Sequence, residues 1–134
     1  MAKKIVRCLP MLVLAGVLPI AAHAAAGDAV SKQVGTASAH AGMALGAADL
    51  KMAQTHLHHV VNCLVGPSGK GFDASAGNPC DGMGHGGIVD AKGDAATESR
   101  LQTALTQAEH GLEATTLDGA HADAQKAMAT LQAK

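Results

Sequence analysis

The sequence predicts an all-α protein: a four-helix up-down bundle made of two helical hairpins, joined by a long glycine-rich loop that one disulfide staples. Three observations carry that expectation. Apolar residues recur at helical spacing over residues 28–65 and again over 96–133. Between these blocks, residues 66–95 hold nine of the sixteen glycines and two prolines, with no helical or alternating pattern. The two helical blocks also match one another when shifted by 67 residues. Leu50, Ala53, Leu57, Val60, Val61 and Leu64 then fall on Leu117, Ala120, Ala124, Ala127, Met128 and Leu131.

The N-terminus reads as a secretory signal peptide over residues 1–24. Lys3, Lys4 and Arg7 form a positive start, Cys8 to Ile20 an apolar run, and Ala22-His23-Ala24 a small-x-small cleavage site. The apolar run is too short to span a bilayer, so no stable membrane insertion is expected after cleavage. The mature chain then begins at Ala25 in the periplasm or outside the cell.

In the first hairpin, Asp28 is placed to cap a helix over about 28–46, whose apolar face is Val30, Val34, Ala37, Ala41, Ala44 and Leu45. Gly46 to Asp49 reads as a short turn, with one unbroken long helix as the alternative. A second helix over 49–65 carries Leu50, Ala53, Leu57, Val60, Val61 and Leu64, and Gly66-Pro67 ends it. In the second hairpin, Thr97 reads as a helix start and Leu101, Ala104, Leu105, Ala108 and Leu112 as the apolar face of a helix over 97–116. A turn at Leu117 to Gly119 precedes a last helix over 119–133, with Ala120, Ala124, Ala127, Met128 and Leu131 facing inward.

Composition narrows the functional classes. Without the three basic residues of the signal peptide, 7 basic residues face 11 acidic ones. The chain has no Trp, no Tyr and one Phe, Phe72. A nucleic-acid surface would need both a basic patch and stacking rings, so none is expected. The core must be built from Ala, Leu, Val and Met. Such a thin core benefits from a staple, and a homodimer would bury further apolar surface. The two cysteines of the mature chain, Cys63 and Cys80, are expected to pair in an oxidising compartment.

The chemistry gathers between residues 49 and 87. On the second helix Met52, His56, His59 and Cys63 follow one another at steps of 4, 3 and 4, which places them on one flank. Two histidines three apart on one face reach a single ion. A Cys63–Cys80 bond would draw the loop across that flank and bring Asp81, Met83 and His85 near. The expected site is therefore His56, His59 and His85, with Met83 or Asp81 adjoining. Imidazole with thioether suits copper, and imidazole with carboxylate suits zinc or nickel. His40 and His121, beside the apolar faces of the first and last helices, are secondary metal candidates. His58 is expected to face solvent together with Asn62. Met43, Met52 and Met128, at helical spacing, read as packing residues.

Other chemistries lack support. Gly82 to Gly87 matches GxGxxG in letters but has no preceding strand and opens no helix. The chain has no CxxCH for haem attachment, and a haem between helices this poor in aromatic residues is not expected. No grouping of a nucleophile with a base stands out, so no enzyme is expected. In composition and compartment the chain resembles small exported helical proteins that bind copper, nickel or zinc, without a shared motif. The leading expectation is thus an exported protein that binds or buffers such an ion. The alternative is a disulfide-stapled periplasmic interaction module whose loop contacts an envelope protein.

Overall fold

The helices begin and end where local chemistry tells them to. The computed structural model describes residues 21–134, and the signal peptide expected from the sequence lies mostly outside the described residues. Helix α1 spans Ala21–Leu45, α2 Leu50–Val65, α3 Gly87–Asp90, α4 Ala95–Glu113 and α5 Leu117–Gln132. A 3-10 turn covers Ala74–Ala76. There is no strand among the described residues, and no helix there is long and apolar enough to cross a membrane.

Helix starts are set by side-chain caps that satisfy otherwise unpaired backbone donors. The Asp49 carboxylate accepts from the Met52 N–H, Asp94 from the Thr97 N–H, and the Thr116 hydroxyl from the Gly119 N–H. Two sequence expectations move by a few residues as a result. Asp94, rather than Thr97, caps α4, and Thr116 caps α5 just ahead of Leu117-Asp118-Gly119. Asp28 does not start α1, which runs through it from Ala21. Residues 46–49 do break the chain between α1 and α2, so the two are not one continuous helix.

Helix α1 packs against α2 and α5, and α4 packs against α5 and α2. Alanine lines these contacts: Ala37, Ala41, Ala44, Ala53, Ala104, Ala108, Ala120, Ala124 and Ala127 are all fully buried. Small side chains let helix axes approach closely, and Leu57, Leu64 and Leu101 fill what remains.

The 67-residue repeat is visible in the coordinates. Shifted by 67, the bounds of α2 coincide with those of α5, and the Asp49 cap falls on Thr116. One cross-hairpin bond recurs as well. Gln54 donates from Nε2 to the Ala114 carbonyl at 3.1 Å, and His121 places Nε2 3.1 Å from the Ala47 carbonyl. Gln54 and His121 are 67 apart, as are Ala47 and Ala114. His121 thus serves the end of α1 in the way Gln54 serves the end of α4.

Residues 66–95 are not one open loop: they hold the 3-10 turn and the short helix α3, which opens at Gly87 where the sequence led to the expectation of none. The Cys63–Cys80 disulfide ties them to α2 across a Cα–Cα distance of 5.2 Å. Asn62, fully buried, holds the first part. Its Nδ2 donates to the carbonyls of Asp73 and Gly77 at 2.7 Å each, and its Oδ1 accepts from the Asp73 N–H at 2.9 Å. Asn62 therefore faces inward, contrary to the expectation that it points to solvent with His58. His58 itself is half-exposed, with Nδ1 3.8 Å from the Asp73 carboxylate. Gln33 of α1, also buried, holds the second part: it donates to Asp90 Oδ2 at 2.7 Å and accepts from the Gly86 N–H at 2.8 Å. Two glycines let the backbones cross. A Cβ at Gly66, whose φ is +71°, would collide with the His85 carbonyl, and one at Gly86, φ +120°, would collide with Val65.

Candidate metal centre

Three imidazoles converge on the flank of the α1–α2 pair. His40 comes from α1, and His56 and His59 from adjacent turns of α2. His40 Nδ1 lies 3.2 Å from His56 Nδ1 and 3.2 Å from His59 Nδ1. One ligand atom from each of the three lies within 4.8 Å of the others, the only such cluster of three among the described residues. Two nitrogens bound at 2.0–2.1 Å to a tetrahedral ion stand about 3.3 Å apart. His40 Nδ1 already has nearly that spacing from each of its two neighbours.

The surroundings select the ring atoms that face inward. His59 Nε2 lies 2.7 Å from the Ala76 carbonyl, which can only accept, so Nε2 carries the proton and Nδ1 keeps its lone pair. A carbonyl on the outer nitrogen of a ligating histidine fixes ring orientation and raises its basicity. Ala76 is itself placed by Asn62, whose amide grips the chain at Asp73 and Gly77 on either side of it. The buried polar residue missed by the sequence reading thus supports the site.

Electrostatics disfavour charge on two of the rings, His40 and His56. Burial lowers the His40 pKa below the ordinary imidazole value, and the neighbouring His59 and His56 lower it further. His56 is shifted the same way, by burial and then by His59. With a lone pair on His59 Nδ1, His40 Nδ1 can share a proton with only one of its two neighbouring Nδ1 atoms at a time, whereas a bound cation would take a lone pair from each ring.

The structure sorts the residues expected from sequence. His56 and His59 meet, and their third partner is His40, which sequence reasoning ranked second. His85 goes elsewhere: 86% exposed, its Nδ1 sits 3.1 Å from Asp90 Oδ1. Its backbone is pinned beside Gly66, seven residues beyond His59, which is about 10 Å along a helix. Burial pushes the Asp90 carboxyl up, but hydrogen bonds from the His85 N–H, the Gln33 amide and the His85 ring outweigh it and hold it below the ordinary carboxylate range. Asp81 is exposed and not part of the cluster. Met83 is half-buried, its sulfur accepting from the Thr36 hydroxyl at 3.6 Å, one turn before His40. His121 bonds Ala47 as described.

The repeat supplies a comparison within the molecule. Shifted by 67, His40, His56 and His59 become Gln107, Asp123 and Lys126. There Lys126 Nζ pairs with Asp123 at 2.7 Å, and Gln107 Oε1 is buried without a partner. The second hairpin has the same helix plan without the imidazoles.

No family model, no curated protein and no solved structure matches the chain.

Proposed function

We propose that this chain is a small exported protein that binds and buffers a transition metal ion, copper, nickel or zinc, through His40, His56 and His59. The convergence of three imidazoles, with His40 Nδ1 3.2 Å from an Nδ1 of each of the other two, carries the reading. Three histidines leave the fourth position of a tetrahedral ion to an external ligand, which suits reversible loading. We assign the chain a binding role and no reaction. The up-down arrangement of α1, α2, α4 and α5 as two hairpins would give the rigid frame that holds the rings in register. Export is supported by the signal-like N-terminus and by a disulfide that persists in oxidising compartments.

The test is calorimetric titration of the oxidised protein with copper(II), nickel(II) and zinc(II), beside thermal melts with and without each ion. Saturable one-to-one binding that raises the melting temperature is expected, because a ligand that binds only the folded state stabilises it. Weak binding that does not saturate and leaves the melt unchanged would reject the metal reading in favour of the partner-binding one.

A further inference from the structure

Two methionines stand out on the surface. Met43 is 50% exposed and Met52 49% exposed, and with Val89 they are the exposed large hydrophobic residues among the described ones. The spacing that marked them as packing residues is therefore misleading: half of each side chain faces water. Both lie one helical turn along the chain from a histidine of the cluster. Met43 follows His40 by three residues on α1, and Met52 precedes His56 by four on α2, so each shares a helix face with a ligand one turn away. The turn at residues 46–49 folds α1 back on α2. Met43 and Met52 are equidistant from the middle of that turn, which sets them at one level, at the tip of the hairpin.

A thioether is a weak, soft donor. It selects copper(I) over zinc or nickel, whose preferred partners are imidazole, carboxylate and water. Met83 adds a third sulfur beyond the other end of the cluster, against Thr36. The second hairpin is again the comparison: 67 residues on, Met43 and Met52 become His110 and Gly119, and the pair is missing where the imidazoles are missing. The exposed thioethers and the histidine cluster occur together in one hairpin and neither occurs in the other.

We propose that Met43 and Met52 form a thioether station for copper(I) at the mouth of the histidine site, so that copper in its +1 state is the ion this protein carries. The inference rests on the metal reading above and names its ion. The sulfurs take copper(I) from solution or from a donor at the tip of the hairpin, and His40 and His56 lie one turn further in. No change of oxidation state is involved.

The experiment is an oxygen-free competition titration of the oxidised protein. Copper(I), supplied as its acetonitrile complex, is shared with a chromophoric copper(I) chelator. A parallel titration uses zinc(II). The parent protein is compared with the Met43→Leu/Met52→Leu double variant, in which apolar bulk is kept and the sulfurs are lost. Copper(I) affinity is expected to fall on the order of tenfold or more, the scale on which metal sites lose affinity when a supporting group is removed. Zinc(II) affinity and the melting temperature are expected to stay as they were. Equal copper(I) affinity in the two proteins, with zinc(II) still bound at the histidines, overturns the thioether station and leaves the metal site standing. Failure of the parent protein to bind either ion overturns both.

Discussion

Asn62 is the residue whose removal tests how the loop and the metal site are joined. Replacing it with alanine deletes three hydrogen bonds to backbone groups: two given to the Asp73 and Gly77 carbonyls and one taken from the Asp73 N–H. At about 1 kcal/mol net for each bond, the loss comes to about 3 kcal/mol. Gly77 is exposed, and water can serve its carbonyl, so the expected cost falls to about 2–3 kcal/mol. For a domain of this size that lowers the melting temperature by roughly 10 °C. A second effect follows from position. Ala76, whose carbonyl orients His59, lies between the two gripped residues, and loosening it removes the outer partner of a ligand. Metal affinity is expected to fall on the order of tenfold. With neither Trp nor Tyr in the chain, unfolding in urea is followed by far-ultraviolet circular dichroism, and metal affinity by calorimetry. Thr55→Ala is the control: its exposed hydroxyl bonds only the Lys51 carbonyl of its own helix, and it should change stability by no more than about 0.5 kcal/mol. A loss below about 1 kcal/mol for Asn62→Ala, with metal affinity unchanged, would refute the reasoning.

Four further outcomes are expected. Metal affinity should drop as pH falls below the imidazole range, because a bound histidine must be neutral. The metal-free protein should weaken in the same direction: His40 and His56 are lowered from 6.5 in the fold, so the unfolded chain takes up protons first. Their contribution is full above about 6.5 and is lost as pH falls through that value towards their lowered pKa values, which urea midpoints at pH 7.5 and 5 would show; greater stability at pH 5 would contradict it. Replacing Cys63 and Cys80 with alanine opens a closure of 17 residues and should cost about 3 kcal/mol by chain-entropy reasoning, read from the same urea curves. Finally, a Gln107→His/Asp123→His/Lys126→His variant transfers the cluster to the repeated hairpin, and its metal stoichiometry should rise from one to two by calorimetry.

What could be read from sequence divides along a physical line. Helix spacing and the end of α2 at Gly66 depend on local pattern, the Cys63–Cys80 pair was expected from cysteine count, and all appear in the structure. His56 and His59 were legible as a pair because three residues on one helix fix their relation. His40 was not legible as their partner. It joins them only once residues 46–49 fold α1 against α2, and that register is set by side chains along the whole contact. The fate of His85 depended on two residues far from it in sequence or unremarkable in type. Gln33 steadies Asp90, and Asp90 takes the imidazole. Asn62 was misplaced because a polar residue on a helix is assigned to solvent by default. The signal that could have shown otherwise was its place between Val61 and Cys63, on the side that carries the disulfide. Exposure at Met43 and Met52 was equally hidden, since periodicity marks a face and does not say what covers it.

The central claim is that His40, together with His56 and His59, forms the site and that His85 stands outside it. The most direct measurement is zinc(II) calorimetry on the oxidised protein, comparing the His40→Ala and His85→Ala variants with the parent. The account predicts that His40→Ala lowers affinity on the order of tenfold or more, while His85→Ala leaves it unchanged. The reverse pattern, with His85→Ala weakening binding and His40→Ala harmless, would contradict it.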